Sequence, residues 1–133
     1  MARILTVDDS QVMRLMVKAT LVEAGHDVFQ AANGAEALRI AATDVFDMVI
    51  TDINMPVMDG LALTRHLRQL AGYQRVPMIA LTTEATAAVK RAGRDAGATA
   101  WVVKPFNPQR LIAAVAELLN LHGDRANAVS ADA

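Results

Sequence analysis

The chain has 133 residues, 53% of them hydrophobic, enough for one domain with a sizeable buried core and too few for two ordinary ones. Its 13 basic and 14 acidic residues leave a net charge of -1, so no basic patch marks nucleic acid or an anionic membrane as a partner. The lack of cysteine excludes disulfides, thiol catalysis and cysteine metal sites and suits a reducing cytoplasm, and no apolar run approaches the roughly 18 residues of a membrane span.

Along the chain, short apolar runs alternate with segments of helical period, the pattern of strand–helix–strand units. The first expected strand, residues 4–7, is closed by Asp8 and Asp9. Helix one follows with Ser10 as its candidate N-cap, Val12, Leu15, Met16 and Ala19 as its expected core face, and Gly25 as its stop. After a second strand at 27–31, Asn33 caps helix two, with Glu36 three residues on. The third strand, 47–51, runs into Asp52, and Asp59 caps helix three. The fourth, 78–81, ends at Thr82 and Thr83. Helix four, roughly 85–96, is alanine-rich, carries Lys90, Arg91 and Arg94, and is weakened by Gly93; it reads equally as an ordinary exposed helix or as a mobile one. The fifth strand, 100–103, ends in Lys104; Asn107 and Pro108 begin helix five, which places Leu111, Val115 and Leu118 on one face. From His122 the chain is polar and Ala-rich without period, so a domain over 1–121 and a frayed tail over 122–133 are expected. The fold class is α/β: a doubly wound, five-stranded parallel sheet with five helices.

The polar residues fall at strand ends of one polarity. With right-handed crossovers, the C-terminal ends of all strands share one edge, which is where such sheets bind ligands. Asp8, Asp9, Asp52, Thr82 and Lys104 therefore converge, although each alone also fits a turn or a solvated surface charge. Two carboxylates ~4–5 Å apart at an effective dielectric of ~20 repel by roughly 3–4 kcal/mol. A divalent cation relieves that, and all-oxygen donors suit magnesium, which commonly shares its shell with a phosphate. Lys104 and Thr82 complete an anion site, and aspartate is a competent nucleophile toward phosphorus. Asp52 thus stands at the rim of the core to receive a phosphoryl group.

The motifs "VDDS" followed by Met13 and Arg14, "TDINMPVMDG", "MIALTTEA" and "GATAWVVKPF", with their spacing, resemble a response-regulator receiver domain of bacterial two-component signalling, most closely the single-domain chemotaxis type. The resemblance covers residues 3 to about 121 and implies the flavodoxin-like receiver fold. Carried over residue by residue, it implies that Asp52 is the phosphoacceptor. Asp9, Asp52 and the main-chain carbonyl of Asn54 would bind magnesium, with Asp8 acting mainly through water. It implies further that Lys104 pairs with the phosphoryl group, that Thr82 is the switch hydroxyl and Trp101 the switch aromatic, and that Asn54 and Glu84 tune hydrolysis toward a short-lived phosphoryl group. Tyrosine or phenylalanine is common at the Trp101 position, which alternatively reads as an aromatic packed on a strand. A cis peptide at Lys104–Pro105 is also implied.

By the same resemblance the phosphodonor is a histidine kinase or phosphotransfer protein, and the output face is strand four, helix four, strand five and helix five. No output domain or basic recognition helix is expected after residue 121, so readout would be by protein contact, for example with a flagellar motor switch component; a phosphorelay intermediate or a pilus-motility regulator would present the same site. The rival enzyme reading, a magnesium-dependent phosphohydrolase with an aspartyl nucleophile, wants an acid where Asn54 stands and a cap for which the chain has little length. A nucleotide-binding fold wants a Gly-rich loop where "DDSQVM" stands.

Overall fold

Strand and helix alternate through ten elements: β1 (Arg3–Val7), α1 (Gln11–Glu23), β2 (Asp27–Ala31), α2 (Gly34–Thr43), β3 (Met48–Asp52), α3 (Gly60–Arg68), β4 (Met78–Thr82), α4 (Ala87–Ala96), β5 (Ala100–Val103) and α5 (Pro108–Asp132). This is a computed structural model that describes residues 1–132, with side chains described over 1–121; the tail expected at 122–133 lies outside the residues described in full. The strands form one parallel sheet in the order β2-β1-β3-β4-β5. Register pairs Val7 with Thr51 and Asp52 with Leu81, so β1, β3 and β4 end side by side. Among the described residues no helix is long and apolar enough to cross a membrane.

Side chains alternating along each strand feed two opposite cores. Leu5, Val7 and Val49 pack with Ala37, Leu63 and Leu67 of α2 and α3. Ile4, Ile50 and Ile79 pack with Val17 and Leu21 of α1 and Leu111 and Val115 of α5. A smaller cluster, Ile53, Ala80 and Ala98 with Val89 and Trp101 against it, lies under α4.

The expected caps form: the side chains of Ser10, Asn33 and Asp59 accept from the backbone N–H of Met13, Glu36 and Ala62. Asn107 Oδ1 accepts from Gln109 and Arg110 N–H at the start of α5. Gly25 follows α1 at φ +96°, a left-handed position that favours glycine. Helix α4 begins two residues later than expected because Thr86 takes the N-cap role, accepting from Val89 N–H.

The expected core face of α1 is corrected. Val12, Leu15 and Met16 are 68%, 53% and 47% exposed, and Ala19 is also exposed. The helix instead turns Met13, Val17 and Leu21 inward. Both sets have helical spacing, since α1 is apolar on two faces, and the phase is fixed by where the chain leaves β1 and how α1 seats on β2 and α5. His26 is half-buried, and its Nδ1 accepts from Ala2 N–H at 3.2 Å.

The loop after β3 folds back on itself: Gly60 N–H donates to the Ile53 carbonyl at 2.8 Å. A Cβ on Gly60 would collide with the carbonyl oxygen of Asp52. Gly60→Ala should therefore displace the end of β3, lowering stability in urea unfolding by about 1–3 kcal/mol.

Candidate phosphoryl-acceptor site

Three loops meet at the C-terminal edge of the sheet. Among the described residues, Asp8, Asp9 and Asp52 each offer a carboxylate oxygen, and these oxygens lie within 4.8 Å of one another. Asp8 and Asp52 are buried and Asp9 is exposed. Lys104, delivered by the end of β5, donates from Nζ to Asp52 Oδ1 at 2.9 Å and to Asp8 Oδ2 at 3.2 Å. The Lys104–Pro105 peptide is cis, as expected. Four expected side chains from separated segments therefore share one site.

Thr82 lies between them at the end of β4, buried, with its carbonyl accepting from Lys104 N–H at 2.7 Å. Its Oγ1 accepts from Glu84 N–H at 3.0 Å, which leaves its own proton available to a further acceptor. Asn54 and Glu84 are both exposed and line, with Thr82, Ile53, Val89 and Ala92, a cavity of about 230 Å³ under α4. Trp101 packs on the cluster of Ile53, Ala80 and Ala98, of which Ile53 also lines this cavity.

The electrostatics follow from three acids facing one base. Burial pushes the Asp8 carboxyl above its ordinary range; the Ser10 N–H works against this, and the nearby Asp52 charge adds to it. For Lys104, burial acts to lower the pKa, but the hydrogen bonds to Asp52 and Asp8, together with their charges, outweigh it and leave the ammonium more basic than usual. Lys104 therefore stays charged throughout the physiological range. Hard oxygen donors in excess of one ammonium fit a magnesium ion.

Some supporting residues carried no legible role in the sequence. Arg14 donates from Nη1 to the Asp8 carbonyl oxygen at 2.5 Å, tying α1 to the site loop. Arg68, half-buried, donates to the carbonyls of Gly97, Tyr73 and Val76 and joins the ends of α3 and α4; no motif announces it. Lys90 and Arg94 lie over the Trp101 ring, which their i, i+4 spacing alone did not indicate. In the β3–α3 loop, Val57 has φ 71° and a fully exposed side chain, a β-branched residue in the left-handed region that costs roughly 1–3 kcal/mol locally.

Comparison with known proteins agrees with this geometry. Residues 4–116 match the family model for the response regulator receiver domain. A chemotaxis protein CheY homolog of Campylobacter jejuni is 40% identical over 111 residues, which are 82% of this chain and 85% of that protein. A gliding motility regulatory protein of Myxococcus xanthus is 39% identical over 102 residues, 77% of this chain but only 13% of that protein. Among solved structures, the chemotaxis protein CheY4 of Vibrio cholerae superposes with a TM-score of 0.86 at 44% identity, covering 89% of this chain and 98% of that one. The receiver domain of the sensor histidine kinase PA1611 of Pseudomonas aeruginosa, solved with magnesium in its active-site cleft, superposes with a TM-score of 0.83 at 31% identity, covering 90% and 98%.

The acid surplus has a measurable consequence. Because Asp8 holds its proton more tightly folded than unfolded, stability without metal should fall as pH rises from its ordinary value of 3.8 through the folded-state pKa. Asp8→Asn should remove that part of the decline, raising the urea midpoint of the metal-free protein at pH 7 more than at pH 4. The same substitution should diminish the stabilisation that magnesium gives the parent protein.

Proposed function

Because the chain belongs to the response regulator receiver domain family, we propose that it is a phosphorylation switch in which Asp52 accepts a phosphoryl group and α4, β5 and α5 report it to a protein target. The observation that carries this reading is Lys104 Nζ bridging Asp8 and Asp52, with Asp9 in the same carboxylate cluster. Receiver domains belong to two-component signalling and act as regulatory switches rather than turnover enzymes.

In the transfer step an Asp52 carboxylate oxygen forms a bond to phosphorus as the phosphorus–nitrogen bond to the donor's histidine breaks. The imidazole leaves with the electron pair and takes up a proton. Lys104 supplies a fixed positive charge where negative charge spreads over the phosphoryl oxygens. Magnesium held by Asp9, Asp52 and the Asn54 carbonyl, with Asp8 acting through water, would neutralise the remaining acid charge there. Thr82, whose proton is uncommitted, donates to a phosphoryl oxygen and moves toward the site, and Trp101 turns into the space beside it. The result is a population shift, requiring ~5 kcal/mol of differential stabilisation to pass from mostly inactive to mostly active. Asn54 and Glu84, exposed at the mouth of the site, flank the path of the water that ends the signal, favouring a short-lived phosphoryl group.

The donor is a histidine kinase or phosphotransfer protein. The exposed apolar face of α1, Val12, Leu15, Met16 and Ala19, begins beside Asp8 and Asp9 and suits the apolar side of a donor helix. Val57 adds a further exposed apolar group on the β3–α3 loop. The C. jejuni and V. cholerae relatives favour a chemotaxis output such as a flagellar motor switch component in the cytoplasm; a pilus-motility regulator or a phosphorelay intermediate is the second reading, and the gliding motility name of the M. xanthus relative supports a motility role.

With acetyl phosphate and magnesium, intact mass should rise by one phosphoryl group and tryptophan fluorescence should change. Both effects should vanish in Asp52→Asn and reverse as the donor is exhausted. Persistence of the phosphoprotein for hours would contradict the roles given to Asn54 and Glu84. Leu15→Asp should slow phosphotransfer from the cognate protein donor by roughly tenfold or more while leaving phosphorylation by acetyl phosphate unchanged.

A further inference from the structure

Trp101 is half-buried on the edge strand β5, and two cations of α4 lie over it. Lys90 Nζ is 5.4 Å from the ring centroid and Arg94 Cζ is 5.8 Å, both inside the reach of about 6 Å for cation–π attraction. Their i, i+4 spacing puts both on one face of the helix, where like charges disfavour each other unless something negative lies between them. The face of the indole provides that. Helix α4 buries only Gly93 and Ala96, so its small residues anchor it weakly; Val89 packs with Trp101 on the small cluster beneath the helix, and the two long cationic side chains add contact to the ring of β5. On the inner side is the cavity of about 230 Å³ lined by Leu61, Thr82, Val89 and Ala92.

We infer that Lys90 and Arg94 are positioning residues that hold Trp101 in its outer arrangement and so set the resting balance of the switch. The inference rests on the reading above, in which the ring turns toward the cavity when Asp52 is phosphorylated. An indole that turns inward leaves both cations, so their attraction counts for the inactive arrangement alone. A contact present in only one of two states biases the equilibrium by its full strength. For exposed cation–π pairs that bias is roughly two- to fivefold each, or about 4- to 25-fold together if the two free energies add. Because the coupling is reciprocal, a ligand that binds the active arrangement must bind more weakly by the same factor while the clamp is intact.

The test is equilibrium binding of beryllofluoride, a phosphoryl analogue, to the full chain with magnesium, together with acrylamide quenching of Trp101. In the Lys90→Gln/Arg94→Gln double variant, affinity should rise roughly 4- to 25-fold and quenching of the unliganded protein should fall. The charge-preserving Lys90→Arg/Arg94→Lys variant should behave as the parent. A purely structural role would lower the melting midpoint of the double variant and leave beryllofluoride affinity unchanged; that result, with parental Trp101 responding normally to beryllofluoride, overturns the clamp and leaves the switch standing. If calorimetry shows Asp52-dependent beryllofluoride binding while parental Trp101 does not respond, the switch reading fails and the clamp fails with it.

Discussion

A single ammonium set among three carboxylates governs the rest of this molecule. Lys104 can reach Asp52 and Asp8 only because β5 ends beside β4, β4 beside β3, and β3 beside β1, so the sheet order is what brings these three groups within bonding distance, with Asp9 in the same carboxylate cluster. The arrangement is deliberately short of positive charge. One cation offsets part of the repulsion among the acids, and the remaining charge suits a hard divalent cation such as magnesium. Burial is the main cause of the upward pressure on Asp8, and the Asp52 charge adds to it.

From that edge the fold divides into a rigid part and a yielding part. The two large cores on either side of the sheet fix β1, β3 and β4, and the Gly60 turn and the Arg68 bridge lock the loops around them. Helix α4 differs: it rests on small residues, its N-terminal turn is exposed, and its C-terminal end is tied through Gly97 to Arg68. A charge added at Asp52 would thus act on a region anchored at one end and loosely seated at the other. Thr82 joins the two parts, with its backbone in the sheet and its hydroxyl on the turn that leads to α4.

Exposed apolar groups have a related logic. Val12, Leu15 and Met16 on α1 and Val57 on the β3–α3 loop cost solubility, and Val57 adds backbone strain, yet they lie on segments that leave the carboxylate cluster, where the proposed phosphotransfer would bring a donor. A transfer between two proteins needs the donor held still over the acceptor while chemistry proceeds. An apolar surround that excludes water from the contact serves that need better than a charged one would.

Much of this was legible before any coordinates. Alternating apolar runs and capping residues placed the five strands and the starts of the five helices within a residue or two, because burial on both faces and the orphan N–H groups of each helix leave direct marks in local sequence. Strand-end placement was enough to gather Asp8, Asp9, Asp52, Thr82 and Lys104, since parallel topology makes the position of a residue along its strand equivalent to its position in space. What local sequence could not decide was rotation and contact. Helix α1 is apolar on two faces, and only packing against β2 and α5 determined that Met13, Val17 and Leu21 turn inward while Leu15 and Met16 remain in solvent. The place of Lys90 and Arg94 on helix four said nothing of the Trp101 ring that β5 brings beneath them, and nothing in local sequence marked Arg68, around which the carbonyls of Gly97, Tyr73 and Val76 close. Period and chemistry are properties of a segment; the identity of the neighbour across the gap belongs to the tertiary fold.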